Sequence, residues 1–347
     1  MNDKMTKKPS ILLLYTGGTI GMIKDYKTNA LRAFDFTQIT KNIPELHQLN
    51  CKIDSVSFDE PIDSSNMNIA SYQRIINIIE LNYKDYDGFV VLSGSDTMSY
   101  VSSAISFMLE HLQKPVIFTG SQLPIGDLRT DAKENLITSI EIACAQKKGK
   151  PVVAEVCLYF EYKLYRANRT TKINAEQFEA FTSMNYPPLA ESGVHLNFND
   201  FYLHTPDFTK KLVVRKKLNN NIAILKLFPG ITSKVVESVL NSEELHGVVL
   251  ETYGAGNALD QKWFLKILEE AIQRNIKIIN VTQCIGGAVS QGHYETSVAL
   301  KEIGVISGKD ITTESAIAKL MYLLEENLNV KDFTYYFENP LRGELTP

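Results

Sequence analysis

The sequence predicts an α/β fold in two parts: a larger N-terminal domain on a doubly wound, mostly parallel sheet, and a smaller C-terminal α/β domain. Three observations carry that prediction. Short, continuously apolar runs such as "GFVVL" (Gly88 to Leu92) and "PVIFTG" (Pro115 to Gly120) have the composition of strands buried on both faces. Between such runs the apolar residues recur at helical spacing, and alternating strands and helices indicate a parallel sheet with both faces covered. Finally, 347 residues exceed the ~150 that one domain usually takes, which leaves room for two cores.

Taken in order, Ser10 to Tyr15 and Ile53 to Phe58 read as strands, Ile69 to Leu81 as an amphipathic helix and Gly88 to Leu92 as a buried strand. A helix follows over Thr97 to Leu112, then the strand of "PVIFTG", a helix over Ala132 to Ala145, and further strands in "PVVAEVCLYF" from Pro151 to Phe160. These elements make up the N-terminal domain, residues 1–185. From Tyr186 to Asn221 the pattern dissolves into adjacent prolines and scattered aromatics, so 186–221 reads as a connector. Residues 222–347 resume the alternation as the smaller domain. Its strands lie in "NIAILKLFPG", "GVVLETYGAGN" and "IKIINVTQC"; its helices lie at Ser233 to Leu240, Gln261 to Gln273, Thr313 to Glu325 and Lys331 to Phe337.

Composition narrows the function classes. A net charge of -4, from 36 Lys+Arg against 40 Asp+Glu, provides no basic field for nucleic acid or an anionic membrane, so the expected partner is a small molecule. The four cysteines, Cys51, Cys144, Cys157 and Cys284, are far apart in sequence and lack CxxC spacing, which reads as reduced thiols and no zinc site. The six histidines form no HExxH or paired arrangement, and no metal is expected. "MNDKMTKKPS" runs straight into a six-residue apolar strand, too short for a signal core or a membrane span, and a cytoplasmic protein is expected.

Ligands of open parallel sheets bind beyond the carboxyl ends of the strands. Two loops fall at such ends: "TGGTIGM" after Tyr15, and "SGSDTM" (Ser93 to Met98) after Leu92. The first is no phosphate cradle, because it has neither the GxxxxGK of a P-loop nor a GxGxxG opening a helix. It is either a plain glycine turn or a turn that presents a threonine hydroxyl, its bare N–H groups suiting an oxyanion. A hydroxyl nucleophile needs a base, and no histidine is near in sequence. Lys172 of "RTTK" is a candidate, with Asp96 to exchange a proton through Ser95; as a lone residue it reads equally as an exposed cation.

Six motifs in order, "YTGGTIGM", "DSSNM", "GSDTM", "NRTTK", "YGAGN" and the terminal "LRGELTP", resemble the type I, cytoplasmic, bacterial L-asparaginases over about Ser10 to Pro347. The resemblance implies hydrolysis of the side-chain amide of L-asparagine to L-aspartate and ammonia, without a cofactor. It implies Thr19 as the nucleophile that forms an acyl-enzyme ester, and Ser95, Asp96 and Lys172 as the set that activates it or the hydrolytic water. Asp63, Ser64, Ser65, Ser95 and Asp96 would bind substrate, the carboxylates taking its ammonium. It further implies a homodimer or homotetramer, with Asn257 of "YGAGN" reaching a neighbour's substrate.

The sequence also departs from the family pattern. Ser93 and Ser95 stand where a histidine and a threonine are usual, and the segment after Met22 has no tyrosine at the usual flap position, Tyr26 being the nearest. Glu251 stands where allosterically activated relatives carry an arginine, so no activation by asparagine is expected there. The competing readings are an amidase acting on glutamine, which is one methylene longer, or on glutamyl-tRNA, and an amino-acid-binding sensor that has lost turnover. The tRNA reading wants an extra domain and a basic face that the sequence does not show.

Overall fold

The computed structural model describes residues 8–24, 31–33, 43–292 and 295–347. They fall into two compact units, the first made of the described residues within 8–183 and 187–216, the second of those within 184–186 and 217–347.

The first unit is built on an eight-stranded sheet. Five strands are parallel, in the spatial order β4 (Lys52–Ser57), β1 (Ser10–Tyr15), β5 (Gly88–Leu92), β6 (Val116–Thr119) and β7 (Val156–Phe160). Chain order reverses between β1 and β5, so both end beside the crevice where a doubly wound sheet takes its ligand. Strands β5, β6 and β7 are buried at every position, as their unbroken apolar composition predicts. Helices α1 (Ile69–Asn82), α2 (Met98–Met108) and α3 (Ala132–Cys144) supply the cover. Asn68 caps α1 by accepting from the Ser71 N–H at 3.2 Å. Helix α2 stops at Met108, four residues short of the sequence expectation, because Leu109 and Glu110 leave the helix to pair with Val214 and Val213. Those partners lie about a hundred residues away, and no local propensity reports them.

The same unit contains most of the stretch read as a connector. Strand β8 (Lys163–Arg166) pairs antiparallel with β7 and then with β11 (Ala190–Ser192), which pairs with β12 (Leu196–Phe198). Two pieces of 186–221 therefore extend the main sheet, and 187–216 belongs to the first unit. Each strand is three residues long, too short to show a period in sequence. Beside the sheet, β9 (Thr171–Lys172) pairs with β10 (Phe181–Thr182). After β1, β2 (Met22–Lys24) and β3 (Leu31–Ala33) form an antiparallel pair. Tyr26, the nearest flap tyrosine, lies outside the described residues.

The second unit has four parallel strands in chain order: β13 (Ile222–Lys226), β14 (Gly247–Thr252), β15 (Lys277–Thr282) and β16 (Ile306–Ser307). Helices α4 (Ser233–Leu240) and α5 (Lys262–Gln273) pack Val236, Leu240, Phe264 and Leu268 against Val248, Leu250 and Ile278. Helix α6 (Glu295–Glu302) is one the sequence reading does not anticipate, since it is only eight residues long and poor in apolar residues. Helix α7 (Thr313–Leu323) lies against β14, where a side chain at Gly247 would meet Leu320 at 2.9 Å. The chain ends after α8 (Val330–Glu338) in a buried clasp. There Lys319, with no exposed surface, donates to the carbonyls of Phe337 (2.7 Å) and Asn339 (2.8 Å) and to the Glu344 carboxylate (2.5 Å). Glu344 in turn accepts from the backbone N–H groups of Leu341 and Arg342. This gives "LRGELTP" a structural task.

Among the described residues no helix is long and apolar enough to cross a membrane.

Candidate active site

The turn after β1 starts under close constraint. The Thr16 N–H and hydroxyl both donate to the Leu92 carbonyl at the end of β5, at 2.9 and 3.0 Å. Gly17 and Gly18 follow at φ 138° and 88°, in the region that favours glycine. A side chain at Gly17 would meet the Ile62 carbonyl oxygen at 2.1 Å, and one at Gly18 the Gly94 nitrogen at 2.4 Å. Two glycines are thus required twice over, by dihedral angle and by the loops pressed against them. They deliver Thr19 to the first position of a single 3-10 turn, Thr19–Gly21. Beneath the turn, the Tyr15 hydroxyl donates to the Gly18 carbonyl at 3.3 Å. Burial pushes its phenol up to about 12, so it stays protonated and acts as a prop.

The second loop, "SGSDTM", is anchored to the "DSSNM" segment. Thr97 donates its hydroxyl to the Ser64 carbonyl at 2.7 Å, and Ser64 is itself buried. Asp63 accepts from the Ser65 N–H at 2.9 Å and the Ser65 hydroxyl at 2.8 Å, an Asx-type turn that caps Ser64–Asn66. These bonds, the N–H first, hold the Asp63 carboxyl below the usual carboxylate range. Asp63 is thus an ionised group at the rim, suited to an ammonium.

Lys172, on β9, meets the second loop. Its ammonium donates to the Ser95 hydroxyl at 2.9 Å and to Asp96 at 2.6 Å. The two ends differ in environment, the Lys172 side chain being 16% exposed and that of Asp96 70%. Ser95 passes its own hydrogen on, donating to the Gln122 side-chain oxygen at 3.2 Å. Gln122 is held firmly in turn: its side-chain nitrogen donates to the Gln177 carbonyl at 3.0 Å, and its backbone N–H to Asp131 at 2.9 Å. Asp131 also accepts from the Leu123 N–H at 3.1 Å and from Asn135 at 3.2 Å; burial pushes its carboxyl up while these bonds pull it down. The result is an ordered chain of donors from Lys172 through Ser95 to Gln122.

Thr19, Asp63, Ser64, Ser95, Asp96 and Lys172 line one cavity of about 430 Å³, a size that suits a small, polar molecule. Ser65 does not line it, being turned to Asp63. Asn257 belongs to the second unit, where it closes a tight turn by exchanging backbone hydrogen bonds with Tyr253 at 2.8 Å. Ser121 and Gln122 also line the cavity and were not among the sequence candidates. The available signal was "TGSQLP", the third loop at a parallel-strand end, which follows β6 as the two recognised loops follow β1 and β5. Among the described residues no group of three His, Cys, Asp or Glu side chains could hold a metal ion.

A hydroxyl on a rigid turn and a second hydroxyl held between an ammonium and an amide oxygen line the same cavity, an arrangement that can serve acyl transfer. Residues 10–202 match the model of the asparaginase N-terminal domain, and 221–337 that of the glutaminase/asparaginase C-terminal domain. The chain belongs to the asparaginase family. It is 40% identical to L-asparaginase 1 of Escherichia coli (strain K12), over 98% of this chain and 99% of that one. It is 37% identical to the 60 kDa lysophospholipase of Mus musculus, over 100% of this chain and 64% of that protein. The crystal structure of L-asparaginase I from Vibrio cholerae O1 biovar eltor superposes with a TM-score of 0.89 at 37% identity, covering 98% of this chain and 100% of that one.

Within the asparaginase family the two substitutions in "SGSDTM" have local readings. Ser93 is fully buried and directs its hydroxyl to the Gly94 carbonyl at 3.4 Å. Ser95 retains the hydroxyl of a threonine without its methyl, and its orientation is set by Lys172 and Gln122 instead of by a branched rotamer. Glu251, at the end of β14, accepts from the Thr313 hydroxyl at 2.7 Å and pairs with Lys226 at 3.0 Å.

Proposed function

We propose that the protein hydrolyses the side-chain amide of L-asparagine to L-aspartate and ammonia through an acyl-enzyme ester on Thr19. One observation carries the reading: Thr19, the Ser95, Asp96 and Lys172 set, and the Asp63 carboxylate line a single cavity. In this scheme the substrate ammonium lies against Asp63 and Asp96, and its carboxylate against Ser64 and nearby backbone N–H groups. Thr19 Oγ attacks the amide carbon, the carbonyl oxygen takes the negative charge, and the C–N bond breaks as the nitrogen gains a proton. That proton is the one Thr19 gives up: in this scheme Ser95 takes it from Thr19 Oγ while passing its own hydroxyl hydrogen to the nitrogen, and the Lys172 ammonium, with Asp96 beside it, holds Ser95 and steadies the charge. Water then cleaves the Thr19 ester by the same relay in reverse.

The reading includes self-association, with Asn257 contributing to a neighbour's site, and a cytoplasmic location. The test is ammonia release from purified protein supplied with asparagine. Release no faster than that of a Thr19→Ala variant would overturn the proposal, and calorimetry showing asparagine binding without turnover would leave the sensor reading standing. Comparing kcat/KM for asparagine and glutamine ranks the two amides, for which a one-methylene difference supports a ratio of roughly 10–200.

A further inference from the structure

The third loop at a strand end, which follows β6, is held by the helix that comes after it. It leaves the sheet hard against the second loop: a side chain at Gly120 would meet the Ser93 carbonyl oxygen at 2.4 Å. The chain then makes a short excursion and enters α3 at Asp131. Asp131 is buried and stands at the N-cap of α3, where an aspartate ordinarily accepts from N–H groups of its own first turn. Its carboxylate makes no such bond. The Thr130 hydroxyl oxygen serves the helix start instead, accepting from the Ala132 N–H at 3.0 Å. The carboxylate turns back on the loop. One oxygen accepts from the Leu123 N–H at 3.1 Å, the other from the Gln122 N–H at 2.9 Å and the Asn135 side-chain nitrogen at 3.2 Å. Asn135, with no exposed surface, donates as well to the Gly120 carbonyl at 3.0 Å and accepts from the Glu161 N–H at 3.1 Å.

We propose that Asp131 is a positioning residue for the reaction and acts through Gln122: with Asn135 it fixes the backbone at Gln122 and Leu123, and so aims the Gln122 side chain at Ser95. The inference rests on the hydrolase reading above. A glutamine side chain has many rotamers, and the neutral bond it accepts from Ser95, at 3.2 Å, is too weak to order the loop that carries it. Hydrogen bonds to an ionised acceptor are roughly twice as strong as neutral ones. Two adjacent N–H groups taken by one buried carboxylate therefore set the direction in which the Gln122 side chain leaves the chain. The Gln177 carbonyl fixes the far end, accepting from the side-chain nitrogen at 3.0 Å. Held at backbone and tip, Gln122 keeps its oxygen for Ser95. Asparagine at position 131 cannot do the same. All three groups facing the carboxylate are donors, and a carboxamide offers them a single oxygen while setting its own NH₂ against one of them.

The test is a double-mutant cycle read by ammonia release, with amide hydrogen exchange as a second measurement. Asp131→Asn is expected to lower kcat by about three- to tenfold with little change in KM, the same loss as Gln122→Leu, because both act through one bond. In a Gln122→Leu background the same substitution is expected to lower kcat by less than about twofold, since the group it positions is gone. Thr130→Val is the structural control. It removes the acceptor for Ala132 and a 3.2 Å bond to the Leu123 carbonyl without touching the Gln122 N–H, and is expected to lower the melting temperature and leave kcat near wild type. Equal losses from Asp131→Asn in the two backgrounds would overturn the proposal. So would a Thr130→Val variant that loses as much kcat as Asp131→Asn.

The exchange measurement is made first on the wild-type chain, where the amides of Gln122 and Leu123 are expected to be protected, and does not depend on any variant folding. Wild-type amides there that exchange as freely as an open loop would also overturn the proposal. In Asp131→Asn that protection is expected to fall while peptides of the second unit exchange as in wild type. If the wild type releases ammonia no faster than Thr19→Ala, the hydrolase reading fails and the role in the reaction falls with it. If the wild type releases ammonia and Asp131→Asn changes neither kcat nor exchange at Gln122 and Leu123, the hydrolase reading stands and the role of Asp131 alone is refuted.

Discussion

Replacing Lys172 by methionine separates a catalytic contribution from a structural one. Methionine keeps an unbranched stem of similar length and removes only the ammonium that donates to Ser95 at 2.9 Å and to Asp96 at 2.6 Å. The stability lost is small, because the Asp96 side chain is 70% exposed, and a pair with one end in water contributes about 1 kcal/mol or less. For a chain of this size that shifts the melting temperature by no more than about 4 °C. The catalytic loss is much larger: removing one preorganised donor costs about 10²–10³ in kcat, or ~2.7–4 kcal/mol of barrier. In a coupled ammonia assay at saturating asparagine, K172M is expected to fall by that factor while circular dichroism and melting stay near wild type. A kcat within about threefold of wild type would refute the relay, since each tenfold is worth only ~1.4 kcal/mol. A large loss of melting temperature with a matching loss of activity would instead make Lys172 a structural residue.

Other outcomes follow from the same geometry. Gly18→Ala places a methyl 2.4 Å from the Gly94 nitrogen at φ 88°, and is expected to lower stability by about 1–3 kcal/mol and to abolish most ammonia release, read by thermal melting and the same assay. Gln122→Leu removes the acceptor that orients the Ser95 hydroxyl, and is expected to lower kcat roughly three- to tenfold with little change in KM, the worth of one neutral hydrogen bond. Glu344→Gln leaves the buried Lys319 ammonium without its counter-charge, and is expected to cost about 3–5 kcal/mol in denaturant unfolding. Because Glu251 is engaged with Lys226 and Thr313 and is an anion, velocity against asparagine is expected to be hyperbolic, with a Hill coefficient near one.

Much of this was legible without coordinates, for identifiable reasons. Strand β5 was read at its observed bounds, Gly88–Leu92, because a strand buried on both faces has no polar residue to blur its ends. Helix α3 is legible to within one residue, since its helical spacing runs over thirteen residues, where the eight of α6 are too few to stand out. The short strands β11 and β12 were not, because a three-residue strand shows no period, and neither was the early end of α2, which a distant strand imposes. Gln122 is not legible as a site residue because a glutamine carries no chemistry of its own: it matters here only through the hydroxyl that it orients.

Local residue type therefore determined which loops could react. Glycines that must sit at positive φ, and hydroxyls at the ends of apolar strands, are properties of a few consecutive residues and survive in the sequence alone. The fold decided which of those groups meet. Lys172 is 77 residues from Ser95 and 76 from Asp96. Such pairs are set by strand order and by the packing of helices on the sheet. A short-range pattern cannot encode a contact whose partners are brought together only when the whole core closes.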